Sequence, residues 1–397
     1  MLDRLRNRPD ILLLLMASAV PLSYATWSAL LNNFAIERAA FTGVEIGILQ
    51  SLREIPGFLA FAVVFLLIFL REQSLAYVSL LLLGIGTLVT GWFPTVLGLY
   101  ITTVVMSIGF HYYETVQTSL SLQWLDKRET PEFLGRLIAV GSFTSIAAFA
   151  LIWITSDWLA LDYAVIYAAG GGATALIAVV AWLAFPQFPQ KVEQHKTMVL
   201  RRRYWLYYLL TFLSGARRQI FVVFAGFLMV ERFGYSVGEI SILFLVNATL
   251  NVLFAHRIGR IVGRVGERKA LVFEYVGLVV IFTAYAFVTD PMVAAGLYIA
   301  DHFFFALAIA IKTYFQKIAD PADIASTAGV AFTINHIAAV VLPAALGLVW
   351  VYSSAAVFLV GAALALASLL CSLLIPRDPA PGNETTRMVS RPLPTTP

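Results

Sequence analysis

The chain has 397 residues, of which 60% are apolar and 13% charged, with a formal net charge of +4. A soluble domain is charged at about a quarter of its positions, so a soluble globular protein, a disordered chain and a disulfide-rich secreted scaffold are excluded. The small positive surplus sits in loops and forms no nucleic-acid-binding face. The one cysteine, Cys371, makes neither an internal disulfide nor a thiolate metal cluster.

Hydrocarbon offers the backbone no hydrogen-bond partner, so apolar runs of roughly 20 residues read as spanning helices. In chain order these are 11–33, 43–70, 74–93, 95–121, 132–156, 163–185, 204–230, 236–263, 269–288, 291–316, 324–350 and 353–375. Twelve helices use roughly 240–280 residues and leave no room for a soluble catalytic domain. Before the first run stand Arg4, Arg6 and Arg8, and Ser23-Tyr24-Ala25 has the small-residue form of a signal-peptidase site. The run continues to Leu31, and it is read as a retained first helix.

Loop charge sets the orientation. One set of loops holds Arg71, Lys127, Arg128, Lys191, Lys196, Arg201, Arg202, Arg203, Arg264, Arg268, Lys269, Lys317, Arg377, Arg387 and Arg391 besides the N-terminal arginines. The alternate set holds only Arg38 and Arg232. Both termini are therefore expected in the cytoplasm, and short loops fit a bacterial inner membrane. Trp92, Trp124, Trp153, Trp158, Trp182, Trp205 and Trp350 fall near expected interfaces, whereas Trp27 does not.

The connection 186–203 divides the chain into halves, 1–185 and 204–375, of six helices each. Val140–Ala148 of the fifth span resembles Val330–Ala339 of the eleventh with one residue of slip, and both spans follow a proline, Pro131 or Pro321. Repeated halves of equal topology are a transporter signature. The tail 376–397, with six prolines, is expected to be disordered.

After the eighth span the chain reads Gly259-Arg260-Ile261-Val262-Gly263-Arg264-Val265-Gly266-Glu267-Arg268-Lys269. This resembles the loop motif of the major facilitator superfamily, Gly-x-x-x-Asp-Arg-x-Gly-Arg-Lys/Arg-x. Gly259, Arg264, Gly266 and Arg268 match, Gly263 replaces the Asp, and Glu267 replaces a basic residue. The corresponding first-half loop, Leu70-Arg71-Glu72-Gln73, has lost the motif. The resemblance implies an all-α membrane fold of two six-helix bundles around a central cavity, with alternating access and gating at this loop. With the motif's Asp missing, Asp320 and Asp323 are the expected acidic partners of Arg260 and Arg264.

Ionisable groups inside a bilayer are costly, so each is a functional candidate or a structural pair. The third, sixth and twelfth spans carry none, and the ninth only Glu274, near its cytoplasmic end; in the family fold these four lie outside the cavity. Ser107, His111, Glu114 and Thr118 share one face of the fourth span. Adjacent Arg217 and Arg218 lie near the middle of the seventh and point about 100° apart. Arg218 continues a face with Thr211 and Ser214 and is expected to meet substrate; Arg217 is expected to pair with a carboxylate. Arg53 and Glu54, beside Gln50, read as a structural pair. Asp301, on one face with Phe305, Ala308 and Lys312, and His302 and Glu114 are candidate proton carriers. Trp27, His111, Asn335 and His336 complete the substrate-binding candidates, and Asn247 and Asn251 read as residues that make interhelical hydrogen bonds.

No His-x-x-x-His pair, phosphate-binding glycine loop or placeable Ser/His/Asp set occurs, so no metal, cofactor, ATP-driven pumping or enzymatic activity is expected. The reading is a monomeric secondary transporter of a small organic anion, with protons as candidate coupling ions. Drug antiporters of the family carry an arginine in the fourth span and Gly-Pro in the fifth; here stand Glu114 and a Gly141 without a following proline. Multidrug efflux is thus the runner-up, and a non-transporting membrane sensor or receptor is the alternative from another class.

Overall fold

A computed structural model describes residues 7–124, 130–189, 200–320 and 323–386. Twelve principal helices are α1 (Pro9–Ala39), α2 (Gly43–Phe58), α3 (Glu72–Thr90), α4 (Val96–Trp124), α5 (Thr130–Trp153), α6 (Tyr163–Ala184), α7 (Trp205–Ile220), α8 (Val237–Val265), α9 (Glu267–Phe287), α10 (Pro291–Phe305), α11 (Ile324–Trp350) and α12 (Ser354–Ser372). Eleven helices among the described residues are long and apolar enough to cross a membrane. The exception is α2, the expected 43–70 span. It ends shortly after Pro56-Gly57 and resumes as two short pieces, Ala60–Ala62 and Val63–Leu66. Proline withdraws a backbone donor there and weakens the helical ladder.

Other spans also change pitch, and the fifth ends in a π-helical stretch, Ile154–Trp158. A π-helical stretch, Phe221–Ala225, joins α7 to the helical piece Gly226–Glu231. A 3₁₀ turn, Ala306–Ala308, joins α10 to Ile309–Ile318. The helix starts follow local chemistry. Thr42 and Glu45 form a capping box at α2, and the Asp162, Asp290 and Ser353 side chains cap α6, α10 and α12.

The chain forms two compact units. Unit 1 takes Met1–His195, Gly226–Thr249 and Pro343–Val351; unit 2 takes Lys196–Ala225, Leu250–Leu342 and Tyr352–Pro397. The partition thus departs from the sequence halves. Close contacts inside unit 1 explain the exchange. Asn33 donates to the Tyr235 carbonyl at 2.7 Å, Ser51 accepts from the Ala344 amide at 3.0 Å, and the Trp350 indole donates to Glu231 at 2.8 Å. Trp350 is consequently buried; Trp124, packed edge-on to Phe188, is buried too, while Trp92 and Trp158 remain exposed.

Within the units the packing repeats. In unit 1, α3 packs on α4 and α6, and α1 on α6; in unit 2, α9 packs on α10 and α12, and α7 on α12. Of the linker, residues 190–199 lie outside the described part. Its start is held: Gln73 of α3 donates to the Pro186 carbonyl and accepts from the Phe188 amide, both at 2.8 Å. The tail expected to be disordered from 376 folds back as far as 386. Tyr314 donates to the Glu384 carbonyl at 2.6 Å, and the Thr386 amide to the Leu374 carbonyl at 2.9 Å. Burial of Glu384 and Thr385 holds this stretch in place, and Gly382, at φ +85°, makes its turn.

Glycine lets α3 and α6 touch. A Cβ at Gly84 would lie 2.6 Å from the Ala175 amide nitrogen and 2.8 Å from the Gly171 carbonyl. Gly84→Val is expected to cost about 1–3 kcal/mol by overpacking. Gly141→Ala, where nothing lies within 4 Å of the added atom, should leave stability unchanged or raised. Thermal unfolding of the two purified variants checks the contrast.

Candidate functional site

In unit 2, α7 carries its two arginines into different surroundings. Arg217 is 1% exposed. Its Nη2 lies 3.7 Å from Glu274 Oε1 of α9, its Nε donates to the Leu213 carbonyl at 3.3 Å, and its Cζ stands 4.5 Å over the Tyr275 ring. Asp301 of α10, also buried, lies within electrostatic range of the same guanidinium. One cation therefore faces two carboxylates. Neither Glu274 oxygen nor Asp301 Oδ1 has a hydrogen-bond partner among the described residues. Glu274, expected near a helix end, instead forms part of the most deeply buried charge cluster of this unit.

Arg218 is exposed, with no carboxylate in ion-pair distance among the described residues. Its charge reaches His302 of α10. The His302 Nδ1 lies 3.1 Å from the Tyr298 carbonyl, and its ring packs edge-on to Phe221 at 5.2 Å. Asn335 of α11 stands one turn from Arg218 along α7, against Gly215; a Cβ there would lie 3.2 Å from the Asn335 Cγ. His336 has its Nδ1 2.8 Å from the Phe332 carbonyl and its ring 4.2 Å from the Phe332 ring.

Unit 1 holds a second polar cluster. Arg53 pairs with Glu54, as their adjacency and opposite charge suggested, and its Cζ lies 5.4 Å from the Trp27 ring centroid. Tyr24 also engages the guanidinium and stacks on Phe110 at 5.1 Å. Ser107 of α4 donates to the Arg53 carbonyl, and His111 Nδ1 lies 3.0 Å from Ser107 Oγ. Trp27 Nε1, Gln50 Oε1 and Arg53 Nε are buried without hydrogen-bond partners among the described residues. The fourth-span face divides: Ser107 and His111 are buried, whereas Glu114 and Thr118 are exposed. Neither Asn247 nor Asn251 makes the anticipated interhelical hydrogen bond among the described residues. Asn247 is buried with both amide ends unbonded among the described residues, and Asn251 is exposed. The two belong to different units.

At the motif, Gly266 has φ +83° and starts α9, a backbone state that favours glycine. Gly259 meets nothing within 4 Å and needs no such freedom. Arg264 is exposed and Arg268 half-buried, while Glu267 beside them pairs with Lys317 at 2.8 Å. The expected link from Asp320 and Asp323 to Arg260 and Arg264 is not formed. Asp323 instead takes Arg201 at 3.1 Å, Arg203 at 3.5 Å and the Tyr204 hydroxyl at 2.9 Å, and Asp320 lies 4.0 Å from Arg203. Hydrogen bonds from Arg201 hold the Asp323 carboxyl below the usual carboxylate range.

Sequence reasoning passed over Glu274, Tyr275, Tyr24 and Tyr204. A carboxylate inside a span was the signal available for Glu274; the tyrosines gave none.

The model of the Major Facilitator Superfamily matches residues 11–343. The chain belongs to this superfamily. No curated protein matches it significantly. Among solved structures, a mutant of the nucleoside transporter NupG is similar at TM-score 0.77 with 17% identity, covering 92% of this chain and 99% of that one. A bacterial homolog of the human lysosomal transporter Spinster, inward-facing and occupied, is similar at TM-score 0.70 with 13% identity, covering 92% and 95%. These likenesses show the fold. The protein is an integral membrane carrier, not an enzyme, and moves a small solute by secondary active alternating access.

Removing Arg217 would leave two buried carboxylates without their cation. Arg217→Gln is expected to lose about 3–5 kcal/mol, and Glu274→Gln less, because Asp301 still balances the arginine. Thermal unfolding ranks them. For Asp323 the native state favours the ionised form, so its stabilisation is complete above about pH 4 and is lost as pH falls through the lowered native value. Unfolding midpoints measured from pH 6 to 3 should show an acid limb that Asp323→Asn flattens.

Proposed function

We propose that this transporter carries a small organic anion whose negative group binds Arg218, and that Asp301 carries the coupling proton. The observation behind the reading is the contrast on α7. Arg217 is neutralised by Glu274, whereas Arg218, the seventeenth residue of the 30-residue span Arg202–Glu231, is exposed without an acid partner among the described residues. An unpaired guanidinium in mid-span calls for an anion, and its planar fork suits carboxylate or phosphate. His302 and Asn335 stand nearby to orient the bound group. Asp301 shares the Arg217 cation with Glu274, so a proton is the natural third counter-charge. Glu114, exposed on α4, is a second candidate carrier in unit 1.

In this reading the protein works as a monomer in a bacterial inner membrane with both termini cytoplasmic, as loop charge indicates. Multidrug efflux gains no support from an arginine on α4 or a Gly-Pro on α5, since neither is present.

Thermal stability against organic anions, nucleosides and lipophilic cations tests the site, because a ligand stabilises the state it binds. One anion class should stabilise the wild type and lose that effect in Arg218→Gln. Stabilisation by cations, retained in the variant, would reject the anion site. In proteoliposomes, accumulation should follow an imposed pH gradient and vanish in Asp301→Asn while solute exchange persists. A rate indifferent to the gradient would remove the proton.

A further inference from the structure

Arg257, Arg260 and Arg264 follow one another on α8 at intervals of three and four residues, so they share one face. All three are exposed, and the opposite face, Ile258 and Val262, is buried. None of the three has a carboxylate in ion-pair distance among the described residues. Arg257 lies over the Phe254 ring at 5.4 Å. The acids that would be their natural partners are engaged. Asp323 and Asp320 take Arg201 and Arg203, Glu267 takes Lys317, and Glu274 takes Arg217. The Asp that the family motif places before its arginine is Gly263 here.

The surroundings of the three arginines are apolar. Val252 and Leu253, one turn deeper, are 54% and 58% exposed, and Ile261 and Val265 flank the stripe at 50% and 43%. A face that passes from exposed aliphatic residues to exposed arginines at the helix end matches the passage from hydrocarbon to headgroup. From Arg257 to Arg264 the helix rises about 10 Å, a depth that arginine side chains bridge by extending toward the surface. Water alone would hydrate the guanidinium groups but would not account for the bare aliphatic residues between them.

We propose that the Arg257–Arg260–Arg264 face binds the phosphate groups of anionic phospholipids at the membrane surface where α8 ends. The headgroup supplies the anion that the motif's missing Asp would have provided, held by bidentate guanidinium–phosphate hydrogen bonds. The proposal is independent of the transported solute and of Arg218.

The test is thermal unfolding of the full chain in neutral detergent, titrated with phosphatidylglycerol, phosphatidylcholine or inorganic phosphate. Phosphatidylglycerol should raise the midpoint, and the other two should not. In R257Q/R260Q/R264Q the half-saturating phosphatidylglycerol concentration should rise roughly a hundredfold, about fivefold per arginine. R257K/R260K/R264K, which keeps the charge and loses the planar fork, should stay within about tenfold of wild type. Arg232→Gln, which removes one charge near the opposite end of α8, should be indistinguishable from wild type. Should the triple glutamine variant fail to fold, Arg260→Gln alone should show the fivefold step. Equal titrations of wild type and the glutamine variants would overturn the proposal. So would stabilisation by inorganic phosphate matching that by phosphatidylglycerol, which would make the face a site for soluble anions.

Discussion

A polar group inside hydrocarbon must find its partner within the protein. For the backbone this requirement makes helices; for side chains it makes clusters. Arg217 shows the consequence most fully. Its guanidinium lies between a carboxylate of α9, an aromatic face of the same helix and a second carboxylate of α10. Three helices of unit 2 are therefore tied to one charge, and the neighbouring position on α7 is released from structural duty. The exposure of Arg218 has meaning only because Arg217 has absorbed the local acids.

The same rule organises the helix ends. Asp323 gathers two arginines and a tyrosine from the start of unit 2, and Glu267 takes Lys317. With those acids engaged, the basic face of α8 has no carboxylate in ion-pair distance among the described residues. In unit 1, Arg53 is neutralised by Glu54 and lies against the Trp27 ring. The charges of this carrier thus sort into those neutralised inside a unit and those left for something outside the chain.

Much of the candidate site was legible as residue type and depth. Adjacent arginines on a helix point in different directions, so one pairing and one open side chain was a sound expectation for Arg217 and Arg218. The partner of Arg217 was not legible, because Glu274 lies 57 positions away on a helix that seemed outside the site. Periodicity grouped Ser107, His111, Glu114 and Thr118, yet a face about 16 Å long crosses different neighbours, burying two and exposing two. The interhelical bonds expected of Asn247 and Asn251 failed for a related reason: spacing marks a polar face, but the neighbours each residue meets decide whether a bond forms.

The sequence by itself determined a helical membrane carrier: its apolar runs, loop charges and repeated halves follow from the solvent around each helix, which composition records directly. It also marked where charge enters the membrane. Only the tertiary structure decided which charges cancel, where α2 breaks, how the folded tail reaches Tyr314 and how the chain divides into its two units. Those outcomes depend on contacts between residues far apart in the chain, set by glycine-permitted helix approach and by competition among several arginines for few carboxylates. A linear pattern names the competitors, but the distances among them exist only once the helices have packed.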